Sequence, residues 1–537
     1  MSFSYTRMGI EGREAGLQRF LEILPGATSW CILITMLVLG LSAPQLAAAI
    51  VIAFNLYWLL RLAHSTIFLI LSYSLLRAES ETDWQQRLLN LDQEDIPSRR
   101  SRLLHRKRLR ALQKLHQKPQ DPTDIHHVVI VPIARETADI IEPGLRSLQA
   151  QDFPTQRILV MLAVEGRAAE NVRRDAAELA ARFRPHFLDV HVALHPDGIP
   201  DEARVKGANA TYAAKQAATI LRAHNIPFDR ATVSCFDADT VVSPGYFSCL
   251  TYHYCMEPHR TRSSFQPIPV YHNNIWEAPS SARVLEVGSS FFQLIEATNP
   301  ETLVTFSSHS MSFQALVEVG YWPVDMISDD SAIFWKSYLH YEGDYRAVPM
   351  YTTLSMDVVS ADSWLDTLRG LYKQKRRWAW GVENFPLVVR GFLHTPRIAF
   401  REKIKHIIKM FEAHISWATW GFMLSAFNWL PALFAGREFS SSVMYFNAPR
   451  ISGLVFNLAG LALLITIVLS QLLLPRPPSR RPTLFRILHA AEWLLVPVIT
   501  LFFSALPALD AQTRLMLGRR MEFWVAGKGK KAHPPAS

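Results

Sequence analysis

The chain of 537 residues has few cysteines, four in all, at positions 31, 235, 249 and 255. So few thiols do not make the disulfide framework of a small secreted protein, and a soluble part in a reducing compartment is expected. Cys249, His253, Cys255 and His259 are close in sequence. Their spacing is not that of the common zinc sites, so the sequence predicts no metal site there.

Two further features are absent, namely a signal peptide and aromatic residues within the main basic run. Each absence excludes a class of protein. Residues 1–27 are polar, and the apolar stretch after them is far longer than the core of a signal peptide. The run from Arg99 to Lys118 has nine Lys or Arg and no acids, yet it lacks the aromatic residues that stack on bases. We therefore expect no nucleic acid partner. A basic helix against anionic membrane lipids on the cytoplasmic side explains the run better.

Long apolar segments are abundant. Hydrophobic residues make up 49% of the chain, although the mean hydropathy is only +0.07, as for a polar domain joined to apolar segments. A helix needs about 20 apolar residues to cross a bilayer. Residues 29–76 predict two spans with a tight turn at Gly40-Leu-Ser-Ala-Pro44, the alternative being a buried soluble hairpin. Three more spans are predicted at 415–434, 451–474 and 488–506, after a basic amphipathic helix at 402–414.

The predicted order of segments is a cytoplasmic N-terminus (1–27), two spans (28–76), a basic juxtamembrane segment (77–120), an α/β domain (121–385), interfacial helices (386–414), about three spans (415–510) and a basic tail (511–537). Five spans place the C-terminus outside, whereas Arg519, Arg520, Lys528, Lys530 and Lys531 are typical of the cytoplasmic side. Either one segment is re-entrant or the count is wrong by one. The basic loop Pro475–Pro482 is expected to be cytoplasmic.

Between the apolar regions, strands and helices alternate. Residues 127–132, 157–164 and 188–194 predict buried strands, with helices at 169–183 and 209–224 between and after them. This alternation is typical of a largely parallel sheet covered by helices. A further strand, Thr232-Val-Ser-Cys-Phe, ends in Asp237 and Asp239. Acids beyond the carboxyl end of such a strand are placed to bind a divalent cation and a ligand. The alternative is an Asp-rich turn.

Three other motifs carry candidate functional groups. Lys206-Gly-Ala-Asn-Ala210 opens a helix, where Lys206 suits phosphate, although an ordinary helix start is the alternative. Ser328-Asp-Asp330 offers Asp330 as a general base, and the same residue is predicted to be the N-cap of a helix over 331–341. In Gln374-Lys-Arg-Arg-Trp378, residues 374, 377 and 378 share one helix face with an amide, a guanidinium and an indole. An interfacial helix is the alternative for this motif.

Taken in order, these motifs resemble the membrane-embedded family 2 glycosyltransferases, which include cellulose, hyaluronan and chitin synthases. The resemblance covers residues 125–385 and rests on Pro132 with Glu136, Lys206-Gly-Ala-Asn209, Asp237-Ala-Asp239, Ser328-Asp-Asp330 and Gln374-x-x-Arg-Trp378. It implies a Rossmann-like GT-A domain, cytoplasmic and inserted between transmembrane helices of the inner or plasma membrane.

The resemblance also implies roles for individual residues. Asp237 and Asp239 match the acids that bind the diphosphate and Mg²⁺ or Mn²⁺, and Asp330 matches the general base. Gln374, Arg377 and Trp378 match the motif that holds the diphosphate and the acceptor sugar. Glu136, Glu165, Lys206 and Asp237 are expected to bind a nucleotide-diphosphate sugar, with Glu165 at the base or ribose and a UDP-sugar as the expected donor. Two residues depart from the family pattern. Glu165 stands where Asp is common, and Ser-Asp-Asp replaces Thr-Glu-Asp, which leaves donor choice open.

The implied reaction is transfer of a hexose with inversion onto a growing polysaccharide, processively. Transfer of one sugar onto a lipid carrier at the membrane face is the alternative, and the modest number of spans is compatible with it. A channel or scaffold with a nucleotide-binding domain is a third hypothesis, and the acids together with Arg377 argue against it. The sugar, the acceptor and a periplasmic or export subunit are not specified by the sequence.

Overall fold

The computed structural model describes residues 3–93, 99–361, 363–428, 430, 443–477 and 482–521. Its strands are β1 His126–Ile133, β2 Ile158–Glu165, β3 Asp189–His195, β4 Ala231–Cys235, β5 Val241–Val242, β6 Ser263–Val270, β7 Ser310–Ser312 and β8 Arg346–Ser355. Its α-helices are α1 Gly12–Ser42, α2 Pro44–Ser80, α3 Trp84–Leu89, α4 Arg99–Lys114, α5 Ala138–Gln149, α6 Glu170–Phe183, α7 Lys206–Ala223, α8 Tyr246–Met256, α9 Ser280–Ala297, α10 Phe313–Glu318, α11 Asp329–His340, α12 Trp364–Ala379, α13 Asn384–His394, α14 Phe400–Ser425, α15 Val443–Leu473, α16 Pro482–Glu492, α17 Val496–Thr500 and α18 Leu506–Met516.

One eight-stranded sheet organises the soluble part, in the order β3-β2-β1-β4-β7-β6-β8-β5. The first four strands are parallel, with Val129 opposite Val160 and Val128 opposite Val233. The expectation of a largely parallel sheet holds for this half only. β7 is antiparallel to both neighbours and β5 is antiparallel to β8, whereas β6 and β8 are parallel. β5 and β7 have only two and three residues, too few to show a strand period in the sequence.

The parallel half is buried on both faces because helices cover each of them. All eight residues of β2 are buried, which explains its unbroken apolar run. Alternate residues of the strand serve separate cores. Val160 and Leu162 belong to the core that includes α5 and α6, while Leu159 and Met161 pack with the alanines of α7. The carboxyl ends of β2, β1 and β4 therefore lie at one edge of the sheet, where Glu165, Glu136 and Asp237 follow.

Four helices in the described residues are long and apolar enough to cross a membrane, namely Gly12–Ser42, Pro44–Ser80, Arg450–Leu473 and Thr483–Met516. The first begins within the segment predicted as a polar extension, and only Ala43 separates it from the second. The fourth joins α16, α17 and α18 through a 3₁₀ turn and a π turn. The expected span at 415–434 begins within α14, which continues from the amphipathic stretch, but residues 429 and 431–434 lie outside the described residues. Residues 478–481 of the predicted basic loop and residues 522–537 of the basic tail also lie outside them.

Polar side chains connect these apolar helices to the sheet domain. Glu79, near the end of α2, accepts a hydrogen bond from the backbone of Tyr351 on β8 at 3.1 Å. Asp510 on α18 pairs with Arg376 on α12 at 2.9 Å. A hydrogen bond on one side and an ion pair on the other therefore fix the domain to the helices that flank it in the chain.

Candidate active site

The two acids after β4 have different surroundings. Asp237 is partly exposed, and its Oδ1 lies 2.8 Å from Nζ of Lys206. Its Oδ2 accepts a hydrogen bond of 2.7 Å from Oγ of Ser307. Asp239 is buried, with 3% of its surface exposed, and its Oδ2 accepts the N–H of Asp357 at 2.8 Å. Thus Asp237 is partly exposed and paired with Lys206, while Asp239 is tied to the loop after β8.

Asp357 is a site residue that no sequence motif indicated. It is 4% exposed, and Nδ2 of Asn273 donates to its Oδ1 and to the backbone carbonyl of Asp239, both at 2.9 Å. A third carboxylate therefore adjoins the Asp-Ala-Asp turn, brought there from the carboxyl end of β8. The only feature of the sequence that could have indicated this residue is its position two residues after the end of β8.

Lys206, the first residue of α7, lies between Asp237, which is expected to bind the metal, and Asp330, the expected general base. Its Nζ is 2.8 Å from Oδ1 of Asp237 and 3.2 Å from Oδ1 of Asp330. Burial by itself lowers the pKa of Lys206, but the charges of Asp237 and Asp330 outweigh it and hold the pKa well above its usual value. A buried, charged ammonium at this point is suited to phosphate oxygens.

Gly207 explains why the lysine is followed by glycine. A Cβ at this position would lie 2.5 Å from the backbone oxygen of Pro323 and 3.0 Å from Cβ of Asp329. Backbone oxygen cannot yield as a flexible side chain can. The glycine is needed here because the loop that leads into α11 lies directly against α7.

The structure corrects the predicted start of α11. The helix begins at Asp329 with Ser328 as its N-cap, so Asp330 lies in the first turn and is not the cap. Asp329 is 2% exposed, and burial, followed by the charge of Asp330, raises its pKa well above the usual range. Asp329 is therefore the acid of the pair whose surroundings disfavour its charged form. Asp330 is the acid whose carboxylate meets Lys206.

A loop from 305 to 309 lies beside the same acids. Oγ1 of Thr305 donates to the backbone oxygen of Asp330 at 2.6 Å. Nδ1 of His309 is 3.9 Å from Oδ1 of Asp330, and burial lowers the pKa of this imidazole, which is 1% exposed. The side chains of Thr305 and His309 thus both lie beside Asp330.

The helix with the Gln-x-x-Arg-Trp motif is α12, and Tyr271 connects it with the acids. The rings of Tyr271 and Trp378 have centroids 6.2 Å apart. Burial raises the pKa of Tyr271 well above its usual value, and the charges of Glu286, Asp237 and Asp239 raise it further against the opposing charge of Arg377. Arg377 also acts on Asp329. The charge of Arg377 thus acts on both Tyr271 and Asp329.

Lys375, inside the same motif, has a structural contact of its own. Its Nζ is 2.8 Å from Oε2 of Glu286 on α9 and 3.6 Å from the centroid of the Trp378 ring. Gln374 is 7% exposed. Within the described residues, its Oε1 has no hydrogen-bond partner. The amide thus presents an available acceptor on the helix that carries Arg377 and Trp378.

Glu165 and Glu136 occupy the neighbouring strand ends. Glu165 closes β2, contacts Arg167 and lines a small pocket with residues 195–199 and 202–205. Oε2 of Glu136 accepts the N–H groups of Ala134 and Arg135 at 2.8 and 2.9 Å. Strand order puts both acids at the same edge as Asp237, but the contacts of Glu136 are those of a residue that stabilises its own turn.

The donor groups around Asp239 fit a hard divalent cation. Asp237 and Asp239 stand one residue apart after β4, the N–H of Asp357 donates to Asp239, and the amide of Asn273 bridges the Asp357 carboxylate and the Asp239 carbonyl. Oxygen ligands of this kind suit Mg²⁺ or Mn²⁺ and not the softer metals that prefer sulfur or imidazole. The chemistry of the residues therefore agrees with the metal implied by the resemblance.

Comparison with known families decides the relationship. A family model described as "Glycosyl transferase family group 2" matches residues 232–505, more than half of the chain. The chain belongs to this family. The expected family, its glycosyltransferase class of enzyme and the GT-A type of α/β fold are thereby confirmed.

Curated relatives in the family match over a short stretch. Poly-beta-1,6-N-acetyl-D-glucosamine synthase of Staphylococcus aureus (strain COL) is 39% identical over 105 residues, which are 19% of this chain and 22% of the relative. The synthase of the same name from Staphylococcus epidermidis is 36% identical over an equal length. The chain thus spans about a fifth of the length of these relatives.

Solved structures with some similarity include two glycosyltransferases. Mannosyltransferase PcManGT from Pyrobaculum calidifontis, in complex with GDP-Man and Mn²⁺, aligns over 88% of this chain and 100% of its own, with 16% identity and a TM-score of 0.41. S. aureus TarS 1–349 in complex with UDP-GlcNAc aligns over 74% and 93%, with 14% identity and a TM-score of 0.36. With similarities this low, membership of family group 2 rests on the family model.

Proposed function

We propose that this family group 2 protein transfers a hexose from a nucleotide-diphosphate sugar, with inversion, onto a growing polysaccharide at the membrane. One observation carries the proposal. Lys206 lies between Asp237 and Asp330, so a group for the diphosphate and a group for the acceptor proton adjoin one point in space. The helix with Gln374, Arg377 and Trp378 is electrostatically coupled to the same acids, which supports an acceptor site next to the donor.

In the proposed mechanism, Asp330 accepts the proton of the acceptor hydroxyl as its oxygen attacks the anomeric carbon. The bond from that carbon to the diphosphate breaks, and Lys206 and Arg377 stabilise the negative charge on the departing oxygens. Donor binding draws Lys206 toward phosphate, which frees the Asp330 carboxylate from its ion pair. Trp378 supplies a flat surface for the acceptor sugar.

Asp237, Asp239 and Asp357 would hold a divalent cation, Mg²⁺ or Mn²⁺, which when bound neutralises diphosphate charge. Asp239 keeps its place through the N–H of Asp357, and Asp237 keeps its place through Ser307. We assign Glu165 to the nucleotide because the pocket that it lines lies beside α7, which begins at Lys206. Glu136 is assigned to the turn that shapes this edge.

The membrane arrangement is part of the proposal. Four described helices have the length and composition of spans. We assign residues 121–385 to the cytoplasm, with the basic helix Arg99–Lys114 at the inner or plasma membrane surface, because basic segments favour that side. Poly-beta-1,6-N-acetyl-D-glucosamine synthase is a polysaccharide synthase by name, which favours a polymer product over a glycosylated lipid carrier. The proposed donor remains the UDP-sugar that the motif resemblance implies.

The test uses the purified full chain in detergent with radiolabelled UDP- and GDP-sugars, in Mg²⁺, in Mn²⁺ and with a chelator. We expect a long product on a gel from one donor, lost in the chelator and restored by either metal. A single-step product soluble in organic solvent would replace the polymer with a lipid-linked acceptor. Turnover that persists in the chelator would overturn the metal assignment, and no product from any donor would overturn the proposed activity.

A further inference from the structure

Behind the acids at the start of α11 lies a buried carboxylate that the mechanism does not use. Glu383, which is 1% exposed, follows the Gln-x-x-Arg-Trp helix in a short 3₁₀ turn. Its Oε1 accepts three hydrogen bonds, from the N–H of Ile327 at 3.0 Å, the N–H of Ser328 at 2.9 Å and Oγ of Ser328 at 2.8 Å. All three donors belong to the two residues that directly precede Asp329.

This carboxylate holds the two residues that precede α11, and not the N–H groups of the first helical turn. Ser328 is the N-cap of α11, but its hydroxyl caps no backbone group of the helix and donates to Glu383 instead. An anion at a helix N-terminus is favoured by the helix dipole, and charge-assisted hydrogen bonds are stronger than neutral ones. Glu383 therefore fixes the position from which α11, and with it Asp330, begins.

The second oxygen of Glu383 binds groups from two other places in the chain. Its Oε2 accepts from Nε1 of Trp380 at 2.9 Å and from Nη1 of Arg7 at 2.8 Å. Arg7 is held in turn, since its N–H and Oγ1 of Thr6 both donate to Asp325 at 2.8 and 2.7 Å. The segment before α1 thus supplies the cation that compensates the buried charge of Glu383.

Asn384, the next residue, reinforces the same turn. Its Nδ2 donates to the hydroxyl oxygens of Ser328 at 2.9 Å and Ser331 at 3.0 Å, and its Oδ1 accepts from the hydroxyl of Tyr5 at 2.7 Å. On the opposite side, the backbone at Pro323 is pressed against Gly207. The loop from 323 to 328 is therefore held from both sides, by α7 and by Glu383 with Asn384.

We propose that Glu383 is a positioning residue that sets Asp330 against Lys206 and the acceptor, and that Arg7 keeps Glu383 in place. The proposal rests on the proposed function, since it assigns Asp330 the proton. The alternative is a buried ion pair that stabilises the fold alone. A positioning role and a purely structural role predict different kinetics for variants of Glu383. A misplaced base lowers the rate of the chemical step and leaves donor binding intact.

The experiment compares Glu383→Ala, Glu383→Gln and Arg7→Ala with the wild-type chain, and Glu318→Ala, an exposed glutamate of the same domain, is the control. In Glu383→Ala we expect kcat to fall by about ten- to a hundredfold while the donor KM stays within about twofold. Glu383→Gln keeps one carbonyl oxygen for Ile327 and Ser328 and should recover part of kcat. Arg7→Ala leaves those bonds in place and should lower kcat less. The control should match the wild type.

Hydrogen–deuterium exchange of the full chain gives a readout independent of turnover. We expect faster exchange of the amides of residues 327–332 in Glu383→Ala. A kcat within about twofold of wild type in all three variants would overturn the proposal, as would a loss of donor affinity equal to the loss of kcat. If Glu383→Ala does not fold, Glu383→Gln and Arg7→Ala decide by the same two criteria. If the wild-type chain has no activity but the variants show faster exchange, the proposed function is refuted. The conclusion that Glu383 fixes the start of α11 would still stand.

Discussion

Two adjacent carboxylates at the start of α11 are chemically different because their surroundings differ. Asp329 is buried against Gly207, and burial raises its pKa well above the usual range, whereas Asp330 is partly exposed and meets Lys206. Because Asp330 is the accessible acid of the two and faces the ammonium of Lys206, the proposed base is the second of the pair. The buried neighbour contributes to the packing of α11 against α7.

We expect Asp330→Asn to lower kcat by about a hundredfold to ten-thousandfold, because an amide cannot take the acceptor proton. Donor affinity should stay near that of the wild type, since Asp237 still compensates the charge of Lys206. Turnover measured with the labelled donor, beside equilibrium binding of the same donor, separates the two effects. Asp344→Asn, which changes a half-buried acid that is paired with Arg262 elsewhere in the same domain, should change neither quantity. A parallel loss of binding and turnover would argue against the role of Asp330.

At the scale of elements, the position of α12 depends on a buried ion pair. Nζ of Lys375 and Oε2 of Glu286 are 2.8 Å apart, with side-chain exposures of 4% and 0%. The pair links α12 to α9 and places an ammonium under the ring of Trp378. Burial lowers the pKa of Lys375, and Glu286 opposes that shift. Removal of one partner would leave the other as an uncompensated charge inside the protein.

Lys375→Met should therefore reduce the free energy of unfolding by about 3–5 kcal/mol. The double variant Lys375→Met with Glu286→Met should recover much of that loss, because it buries no charge. Thermal unfolding of the full chain in detergent measures both. Lys405→Met, which breaks more exposed ion pairs on α14, should cost less than about 1 kcal/mol. Equal destabilisation by the single and the double variant would show that the pair is not held by its charges.

At the scale of the whole molecule, histidines buried in the sheet domain make stability depend on pH. His127 is fully buried on β1, with its ring nitrogens 2.6 and 2.8 Å from the hydroxyls of Thr232 and Thr251. Burial lowers its pKa to about 3, and burial together with the charge of Arg108 lowers the pKa of His253 to about 4. Both therefore stay neutral in the folded chain while the unfolded chain binds protons below about pH 6.5.

Below about pH 6.5 the unfolded state then binds more protons than the folded state. The contribution of these two histidines to the free energy of unfolding is therefore fully present above about pH 6.5 and is lost as the pH falls toward 4. Each histidine lowers the free energy of unfolding by at most about 1.4 kcal/mol per pH unit in that window. Melting temperatures of wild type and His127→Gln between pH 7.5 and 5 test this, and the variant should show the shallower decline. His340→Gln, at an exposed position, should decline as the wild type does. An equal decline in His127→Gln would exclude the contribution of His127.

The α/β class and the position of the acidic turn followed from the sequence alone. Buried parallel strands read as unbroken apolar runs, and Asp237, Asp239 and Lys206 stand at strand or helix ends, where local patterns are strongest. The four parallel strands and the start of α7 agree with that analysis. The short antiparallel strands β5 and β7 carry no such pattern, because two or three residues cannot show a period.

Only the tertiary structure brought Asp357, Tyr271 and Glu383 to the site, and only it separated Asp329 from Asp330. Each of these residues acts through a neighbour far away in the chain, such as Asp239, Trp378 or Ser328, so no local spacing could reveal it. A motif records which groups one segment carries. Burial, counter-charge and hydrogen-bond partners depend on which segments meet, and these decide which acid is buried, which acid faces Lys206 and which residues hold the start of α11.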